Sequence, residues 1–426
     1  MTAHEKGLRA RLAELGEFRN GVNFGKGKKG SGLGLINVKD IFCDSPKLDF
    51  DFLDLVDLAD SRGVEKYFVE KGDLFFVRSS VKRDGIGFVA YSDRKNHDAV
   101  HCGFVIRFRP DQQKVDFRFL TYALRSPSNR ERIRNLSGGA AITNISQEAL
   151  CTLELDIPPL PVQRRIAGIL SVYDDLIENS QRRIRILEAM ARALYREWFV
   201  HFRFPGHENH PCVASPLGDI PQGWEATTLG THLAALESGK RPKGGIRDVE
   251  DGVPSIGAEN INGIGRHDFA VEKFIPREFF QDMRKGVVRD RDVAIYKDGA
   301  YIGKSSYFRD GFPHSECCVN EHVFLLRANG VRLKQNALYL WLQEPDTVQT
   351  IRSKNANAAQ PGINQQTVGS LELILPDKKT AAYMDRLVES QLAEIINLAK
   401  RIQNLRRTRD LLLPRLLSGQ VELETA

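Results

Sequence analysis

The second half of this chain is a diverged copy of the first, and that constrains the fold more than any single motif. ISQEALCTLELDIP, Ile145 to Pro158, matches INQQTVGSLELILP, Ile363 to Pro376, so that Leu153 falls on Leu371, 218 residues further on. Without a gap the same offset pairs Ile177 with Ile395, Asn179 with Asn397, Arg183 with Arg401, Leu187 with Leu405 and Leu194 with Leu412. Upstream the match weakens but keeps its order. FLTYAL corresponds to ALYLWL, GFVIRF to EHVFLLR, and the apolar runs LFFV and VAIY follow a matching Asp73 and Asp292. A fixed period means an architecture assembled from like units. Each half reads as a variable mixed α/β domain followed by a better-preserved helical segment.

The helical segments carry a period of their own. Ile166, Leu170, Tyr173, Ile177, Ser180, Ile184, Leu187, Ala191, Leu194 and Trp198 alternate spacings of four and three, the a and d positions of a coiled coil. The copy runs Met384, Val388, Gln391, Ile395, Leu398, Ile402, Leu405, Arg409, Leu412 and Leu416. Prolines 158, 159 and 161 open the first helix and Pro205-Gly206 close it; Pro376-Asp377 opens the second, which Pro414 is expected to end or kink. At about 1.5 Å per residue, some 40 residues make a rod of roughly 60 Å. Two rods with one apolar seam each most simply pair with each other; the simpler alternative is that each covers its own domain. Arg164, Arg165, Arg182, Arg183, Arg185 and Arg192 lie off the seam, where phosphate, an acidic partner or solvent would all suit them.

A chain of 426 residues exceeds one ordinary core. Its 42% hydrophobic and 27% charged residues describe a folded, soluble protein. No apolar run approaches the roughly 18 residues of a membrane span, and MTAHEKGLRARLAELGE has no apolar signal core, so the cytoplasm is the expected location. Cys43, Cys102, Cys151, Cys212, Cys317 and Cys318 form no C-x-x-C pair and read as reduced, mostly buried thiols. His201, His207, His210 and Cys212 in HFRFPGHENHPC suggest zinc only weakly, because no second ligand cluster stands in register; a polar linker is the better reading. The net charge of +6 mildly favours an acidic partner.

Catalytic signatures fail one by one. An adenine methyltransferase needs an [N/D]-P-P-[Y/F/W] turn to stack a flipped base, and Asp156-Ile157-Pro158-Pro159-Leu160 lacks both the adjacent polar residue and the aromatic. A phosphate-binding loop needs lysine where Ser31 stands. Asp49, Asp51, Asp54, Asp57 and Asp60 are not at cation-loop spacings, and neither Pro110-Asp111 nor Pro345-Asp346 has a nuclease-like E-x-K strand nearby.

Basic, glycine-rich loops recur in both halves. In NFGKGKKGSGLG, Gly25, Gly27 and Gly30 fit a dinucleotide fingerprint, yet the stretch follows the polar RARLAELGEFRNG and leads into LINVKDIF, which alternates like a strand. It reads instead as a flexible loop carrying Lys26, Lys28 and Lys29, with SGKRPKGG supplying Lys240, Arg241 and Lys243 in the second half. A second pair comprises VKRDGIG, with Lys82 and Arg83, and YKDGAYIGKSS, with Lys297, Tyr301 and Lys304. Such loops let backbone and cations approach nucleic-acid phosphate. Two like domains on paired rods resemble the geometry of dimeric DNA readers, with half-sites about 34 Å apart. Because the two domains have diverged, they would read unlike half-sites separated by a gap.

DIPPLPVQRRIAGIL, ALYREWFVHFRFPGHE, DGAYIGK, GINQQTVGSLELILP and LLLPRLLSGQVEL together resemble the specificity subunit of type I restriction-modification systems over nearly the whole chain. That resemblance implies an α/β (α+β) fold in which two target recognition domains are separated by two long helices forming an antiparallel coiled coil with pseudo-twofold symmetry. The boundaries would be residues 1–157 and 205–375, linker included, for the domains, and 158–204 and 376–426 for the helices. It also implies no catalysis and no cofactor in this chain. Double-stranded DNA, two methyltransferase subunits using S-adenosylmethionine and two restriction subunits using ATP and magnesium would be its partners. The second domain opens with DIPQGWEATTLG, as such domains do, whereas the first begins abruptly at LRARLAELGEFRNG, which a late start or a shorter first domain would explain.

Overall fold

A computed structural model describes residues 8–25, 28–59, 62–137, 143–246, 249, 251–354 and 362–421. The chain divides into two compact units, one running to Glu178 and resuming at Leu405, the other spanning Asn179–Asn404.

In chain order the first unit carries β1 (Leu8–Arg11), β2 (Gly16–Asn20), β3 (Lys29–Ile36), α1 (Val38–Ile41), β4 (Asp54–Val56), β5 (Leu74–Val77), β6 (Ser79–Ser80), β7 (Val89–Tyr91), β8 (Ala99–His101) and β9 (Val105–Pro110). There follow α2 (Phe117–Arg125), α3 (Pro127–Asn135), β10 (Thr143–Asn144), α4 (Gln147–Cys151), β11 (Glu154–Ile157) and the long α5 (Leu160–Phe199). The central sheet is β2-β9-β5-β7, antiparallel throughout. Successive side chains of a strand point to opposite faces. Leu74 and Phe76 therefore enter a core with Phe119, Leu120 and Leu124 of α2, while Phe75 and Val77 enter another with Leu35, Ile36, Val56 and Val100 of the smaller β4-β3-β8 sheet. Burial on both faces is why LFFV is apolar without alternation. The strand expected through LINVKDIF stops at Ile36, because Asn37 and Asp40 cap the single turn of α1.

The second unit carries β12 (Cys212–Ser215), β13 (Gly218–Pro221), β14 (Glu225–Thr228), β15 (Leu233–Ser238), β16 (Val253–Ile256), β17 (Phe274–Ile275), α6 (Arg277–Gln281), β18 (Val293–Tyr296), β19 (Ser305–Tyr307), β20 (Cys318–Val319) and β21 (Val323–Ala328). It continues with α7 (Gln335–Leu342), α8 (Pro345–Ser353), α9 (Gln365–Gly369), β22 (Glu372–Leu375) and the long α10 (Lys378–Leu417). Its central sheet, β15-β21-β18-β19, repeats the wiring of the first unit, and so does the parallel pairing of β16 with β20. Individual hydrogen bonds recur as well. Leu12 N donates to Leu153 O at 2.9 Å, and Leu229 N to Leu371 O at 2.8 Å. The strand β1 pairs with β11 as β14 pairs with β22, so LRAR takes the place in its unit that EATT takes in the other.

One buried ion pair is common to both sheets. Arg109, near the end of β9, grips Asp73 with two hydrogen bonds of 2.7 and 2.8 Å, and Arg327 on β21 grips Asp292 at 2.6 and 2.7 Å. Each aspartate also accepts a backbone N–H at 2.8 Å, from Glu70 and Arg289 respectively. The aspartate side chains are 0% and 1% exposed. A charge so placed is tolerated only while paired, so the pair fixes the register of β5 on β9 and of β18 on β21.

The long helices run antiparallel within each unit. In the first, Ile166 and Leu170 share a core with Leu413 and Leu416, and Arg409 meets Asp174 at 2.5 Å. In the second, Arg183 pairs with Glu394 at 2.7 Å, and Trp198 packs against Tyr383 with ring centroids 5.4 Å apart and planes tilted by 51°. On α5, Ile166, Leu170, Ile177 and Ile184 are buried and Tyr173, Leu187 and Leu194 are half-buried. On α10, Met384, Val388, Ile395, Leu398 and Ile402 are buried and Leu405 and Leu412 are half-buried. Pro414 does not end α10, which continues to Leu417 with Ser418 N bonded to Pro414 O; burial of Leu413 and Leu416 outweighs the one lost helical bond. Several off-seam arginines serve as struts: Arg192 reaches Glu188 and Gln343, and Arg196 reaches Glu344.

The tract HFRFPGHENHPC is not merely a polar linker. Phe204 and Trp224 are buried against each other, while His207 and His210 bond the carbonyls of Phe204 and Gln222. Of the six thiols, Cys102, Cys317 and Cys318 are buried, whereas Cys43 and Cys212 are exposed.

Glu389 ties α10 to the second sheet. Its carboxylate accepts from Arg291 at 2.5 Å, Arg309 at 2.7 Å and Asn336 at 2.8 Å. Burial alone would raise its pKa, but the bonds from Asn336, Arg309 and Arg291 prevail and bring it down to about 2. A depressed carboxylate stabilises the fold above its ordinary value of 4.5, and that contribution disappears as pH falls toward 2. Melting curves of wild type and Glu389→Gln should therefore diverge above pH 4.5 and converge across that window. Arg327→Met is expected to lower stability by about 3 kcal/mol, because Asp292 stays buried without its partner; denaturant titration of Arg327→Met and of the double variant with Asp292→Leu checks this, the double variant being the more stable.

Candidate nucleic-acid interface

The strand directions gather the loops. Because β9 runs antiparallel to both β2 and β5, the ends of β2 and β5 and the start of β9 share one edge of the first sheet. The segment before α4 joins them, with Ile145 N bonded to Arg78 O at 3.0 Å. In the second unit β15, β18 and β21 make the same edge, and Ile363 N bonds Lys297 O at 2.9 Å. Gly21 and Gly239 mark the same point at which the first loop leaves the sheet. A Cβ on either would run into a backbone carbonyl, of Cys102 or Val319, so only glycine permits the approach.

In the first unit this edge holds an open groove of about 680 Å³ lined by Asn23, Arg78, Ser79, Phe104, Asn144 and Ser146 among others. Arg78 donates to Gly103 O at 3.4 Å, and Ser79 meets Asn144 at 2.5 Å. Phe104 is 63% exposed beside them. The lining thus joins amides, hydroxyls and one guanidinium to the apolar Leu136, Ile145 and Ala149 and one bare aromatic ring.

The second unit puts charge at the corresponding positions. Arg241 pairs with Glu321 at 2.8 Å, His322 lies 3.3 Å from Glu321 and 2.8 Å from Asp298, and Lys297 lies 3.1 Å from Asp298. Oε2 of Glu321 is buried with no hydrogen-bond partner among the described residues. Leaving a carboxylate oxygen unpaired costs about 1–3 kcal/mol, which an incoming donor would recover.

The basic residues expected from the sequence are dispersed along these loops. Lys26 lies outside the described residues. Lys28 and Lys29 belong to structured backbone: Asp57 N bonds Lys28 O at 2.8 Å, and the exposed Lys29 opens β3 opposite Val56. Lys82 and Arg83 are exposed at a short turn beyond β6, beside the Arg134–Asp84 pair at 2.9 Å. Lys240 and Lys243 are exposed in a turn completed by Gly244 and Gly245 at φ +91° and +89°. Tyr301 is 56% exposed and carries the Lys304 ammonium 4.3 Å over its ring. Arg241 and Lys297 are brought together, through Glu321, His322 and Asp298. Sequence reasoning missed Asn23, Arg78, Ser79, Asn144, Phe104, Asp298, Glu321 and His322. Their signal was there: they flank the matched strands, where the two copies stop agreeing. The acidic tract is spent on ion pairs, Asp54 with Lys39 at 2.8 Å and Asp51 with Arg94 at 3.3 Å.

The family model of the type I restriction modification DNA specificity domain matches residues 62–189, from before β5 into α5. The type I restriction enzyme MjaIX specificity subunit of Methanocaldococcus jannaschii is 25% identical over 345 residues, covering 80% of this chain and 77% of that one. The HindI specificity subunit of Haemophilus influenzae is 21% identical over 440 residues, covering 86% and 90%. The crystal structure of a type I restriction-modification S subunit from M. genitalium aligns with all of this chain and 99% of its own, at a TM-score of 0.56 and 16% identity, which establishes a shared fold. Built twice on one plan, the chain carries the type I restriction modification DNA specificity domain over residues 62–189 and is similar along most of its length to specificity subunits of type I restriction enzymes.

Proposed function

We propose that this subunit reads an asymmetric, gapped DNA target, one half-site per recognition domain, and sets two methyltransferase and two restriction subunits upon it in the cytoplasm. The observation that carries this reading is the repetition of one sheet edge with unlike side chains. Equal scaffolds would deliver two edges to DNA in the same way, while different chemistry at the edges would select different bases. The domains are taken as residues 1–157 and 205–375, each followed by its long helix. Phosphate contacts are assigned to the exposed Lys29, Lys82, Arg83, Lys240 and Lys243, with Lys26 beside them in sequence. Lys28, Arg241, Lys297, Tyr301 and Lys304 line the approach to the bases. In this reading the unpaired oxygen of Glu321 suits an exocyclic amine of cytosine. The chain supplies selection, and its partners supply the chemistry with S-adenosylmethionine, ATP and magnesium. Val172, Leu176, Ile186 and Met190 stay exposed on α5, more apolar than a solvated face requires, which favours protein partners on that helix.

Expressed with its methyltransferase in a methylation-free host, the subunit should direct N6-methyladenine to one gapped motif. Exchanging residues 1–157 for the domain of another specificity subunit should then change one half of the motif and leave the other. A continuous motif, or methylation indifferent to this chain, would contradict the two-head reading.

Single positions separate the two kinds of contact. Replacing Lys82 and Arg83 by alanine is expected to weaken binding at every sequence and to reduce the slope of log K on log salt by about 0.9 per lost contact. Glu321→Gln should instead alter preference at one base of the second half-site by about 1–3 kcal/mol, read from binding to a panel of single-base variants.

A further inference from the structure

Besides the network of Glu321, His322 and Asp298, the second unit gathers a further polar cluster of three side chains, His267, Glu272 and His314. Nε2 of His267 and Nε2 of His314 both approach Oε1 of Glu272, His267 at 2.5 Å. The donor atoms of all three residues lie within 4.8 Å of one another, and among the described residues no other group of histidine, cysteine and carboxylate is so disposed. A carboxylate offers two oxygens and about four lone-pair positions. Two imidazoles seeking hydrogen bonds alone would divide between the oxygens. Here both converge on one oxygen, with their ring planes at 89°, so two nitrogens and an oxygen surround a common point.

The three side chains are held from behind. Asp268 N donates to the buried Asn260 at 2.9 Å, and the Asp268 carboxylate caps the turn over Phe269–Val271, which fixes His267 on one side and Glu272 on the other. Lys273 O accepts from Ser255 N at 2.8 Å, anchoring the far side of Glu272 to β16. Phe269 lies edge-on to both imidazoles, with centroids 4.6 and 5.7 Å away, and walls the cluster with apolar surface. Exposure rises from 1% at the His267 side chain through 11% at Glu272 to 25% at His314, so the cluster is closed at one end and open at the other.

We propose that His267, Glu272 and His314 bind one divalent transition-metal ion of the zinc class, with water completing the coordination on the His314 side. Two imidazole nitrogens and a single carboxylate oxygen form a donor set for zinc; calcium and magnesium require oxygen-rich shells that these residues do not supply. The role is structural. The ligands come from three loop positions, His267 to His314 being 47 positions apart, around a small sheet whose apolar cluster has only Val253, Ile275 and Cys318 buried, with Ile246, Phe279, Phe280 and Met283 partly buried against them. A metal clamp supplies the cohesion that so small a core lacks.

The full-length protein, freed of metal by dialysis against a chelator, is the material for the test. Titrated with zinc chloride, it should bind one equivalent and melt at a higher temperature. Cobalt(II) should give the visible absorption of a four-coordinate site, and calcium or magnesium should do neither. Glu272→Gln and His267→Ala should lose the equivalent. Because His267 is buried, His314→Asn provides a variant whose circular dichroism stays that of the wild type while zinc uptake is lost. The double variant His207→Ala/His210→Ala should keep the equivalent, which separates the cluster from the histidine tract after α5. A wild type that takes up no zinc overturns the site, and so does an equivalent that survives in folded His314→Asn and Glu272→Gln.

Discussion

The buried aspartate–arginine pair at the heart of each sheet is the interaction on which the recognition edge depends. Asp73 and Asp292 stand immediately before the apolar strands β5 and β18, and Arg109 and Arg327 reach them from the adjacent strands. A one-residue slip between β5 and β9 would send Leu74 and Phe76 to the wrong face and strand a carboxylate in the core at the same time. Register is therefore penalised twice. Because the register is fixed, so is the end of each strand, and with it the position of every loop that leaves the edge. The repeated pair explains how two domains with little remaining sequence in common keep the same geometry at the edge.

On that common frame, electrostatics has diverged. The first unit presents Arg78 among neutral hydrogen-bonding groups, with Phe104 bare beside it. The second holds Arg241 and Lys297 on Glu321 and Asp298. Cations already paired do not attract phosphate indiscriminately, and a ligand must replace their partners with contacts at least as good. Such a site favours selectivity over affinity. In the proposed reading, affinity at any sequence falls to the exposed lysines outside the network, whose attraction to phosphate is screened by salt.

The long helices solve a different problem. Each unit seats its sheet-and-helix layer on the start of the helix that follows it and on the end of the other helix. Ile166, Leu170, Leu413 and Leu416 do this in the first unit, and Glu188, Arg192, Arg196 and Glu389 do it in the second. The first attachment adds the Arg409–Asp174 pair and the bonds of Gln163 to an apolar core, and the second is rich in charge-assisted hydrogen bonds, of which those to Glu389 weaken as pH falls toward 2.

Much of this was legible in the sequence, because repetition and period are local or one-dimensional signals. The offset of 218 residues, the 4-3 alternation of the two helices and the doubly buried strands LFFV and VAIY each follow from the spacing of apolar residues along the chain. Chain order alone could not supply which polar groups meet. Arg109 finds Asp73 across 36 residues, Arg241 finds Glu321 across 80, and His267 joins Glu272 and His314. These groups carry no periodic signature. Likewise Lys29 read as loop until the backbone placed it at the start of β3, and Pro414 read as an end or a kink until the burial of Leu413 and Leu416 carried the helix past it. Spacing along the chain carries the two-fold plan and the apolar faces, since hydrophobic burial follows it. The polar constellations exist only in the folded chain, since a hydrogen bond or ion pair depends on distance and direction in space.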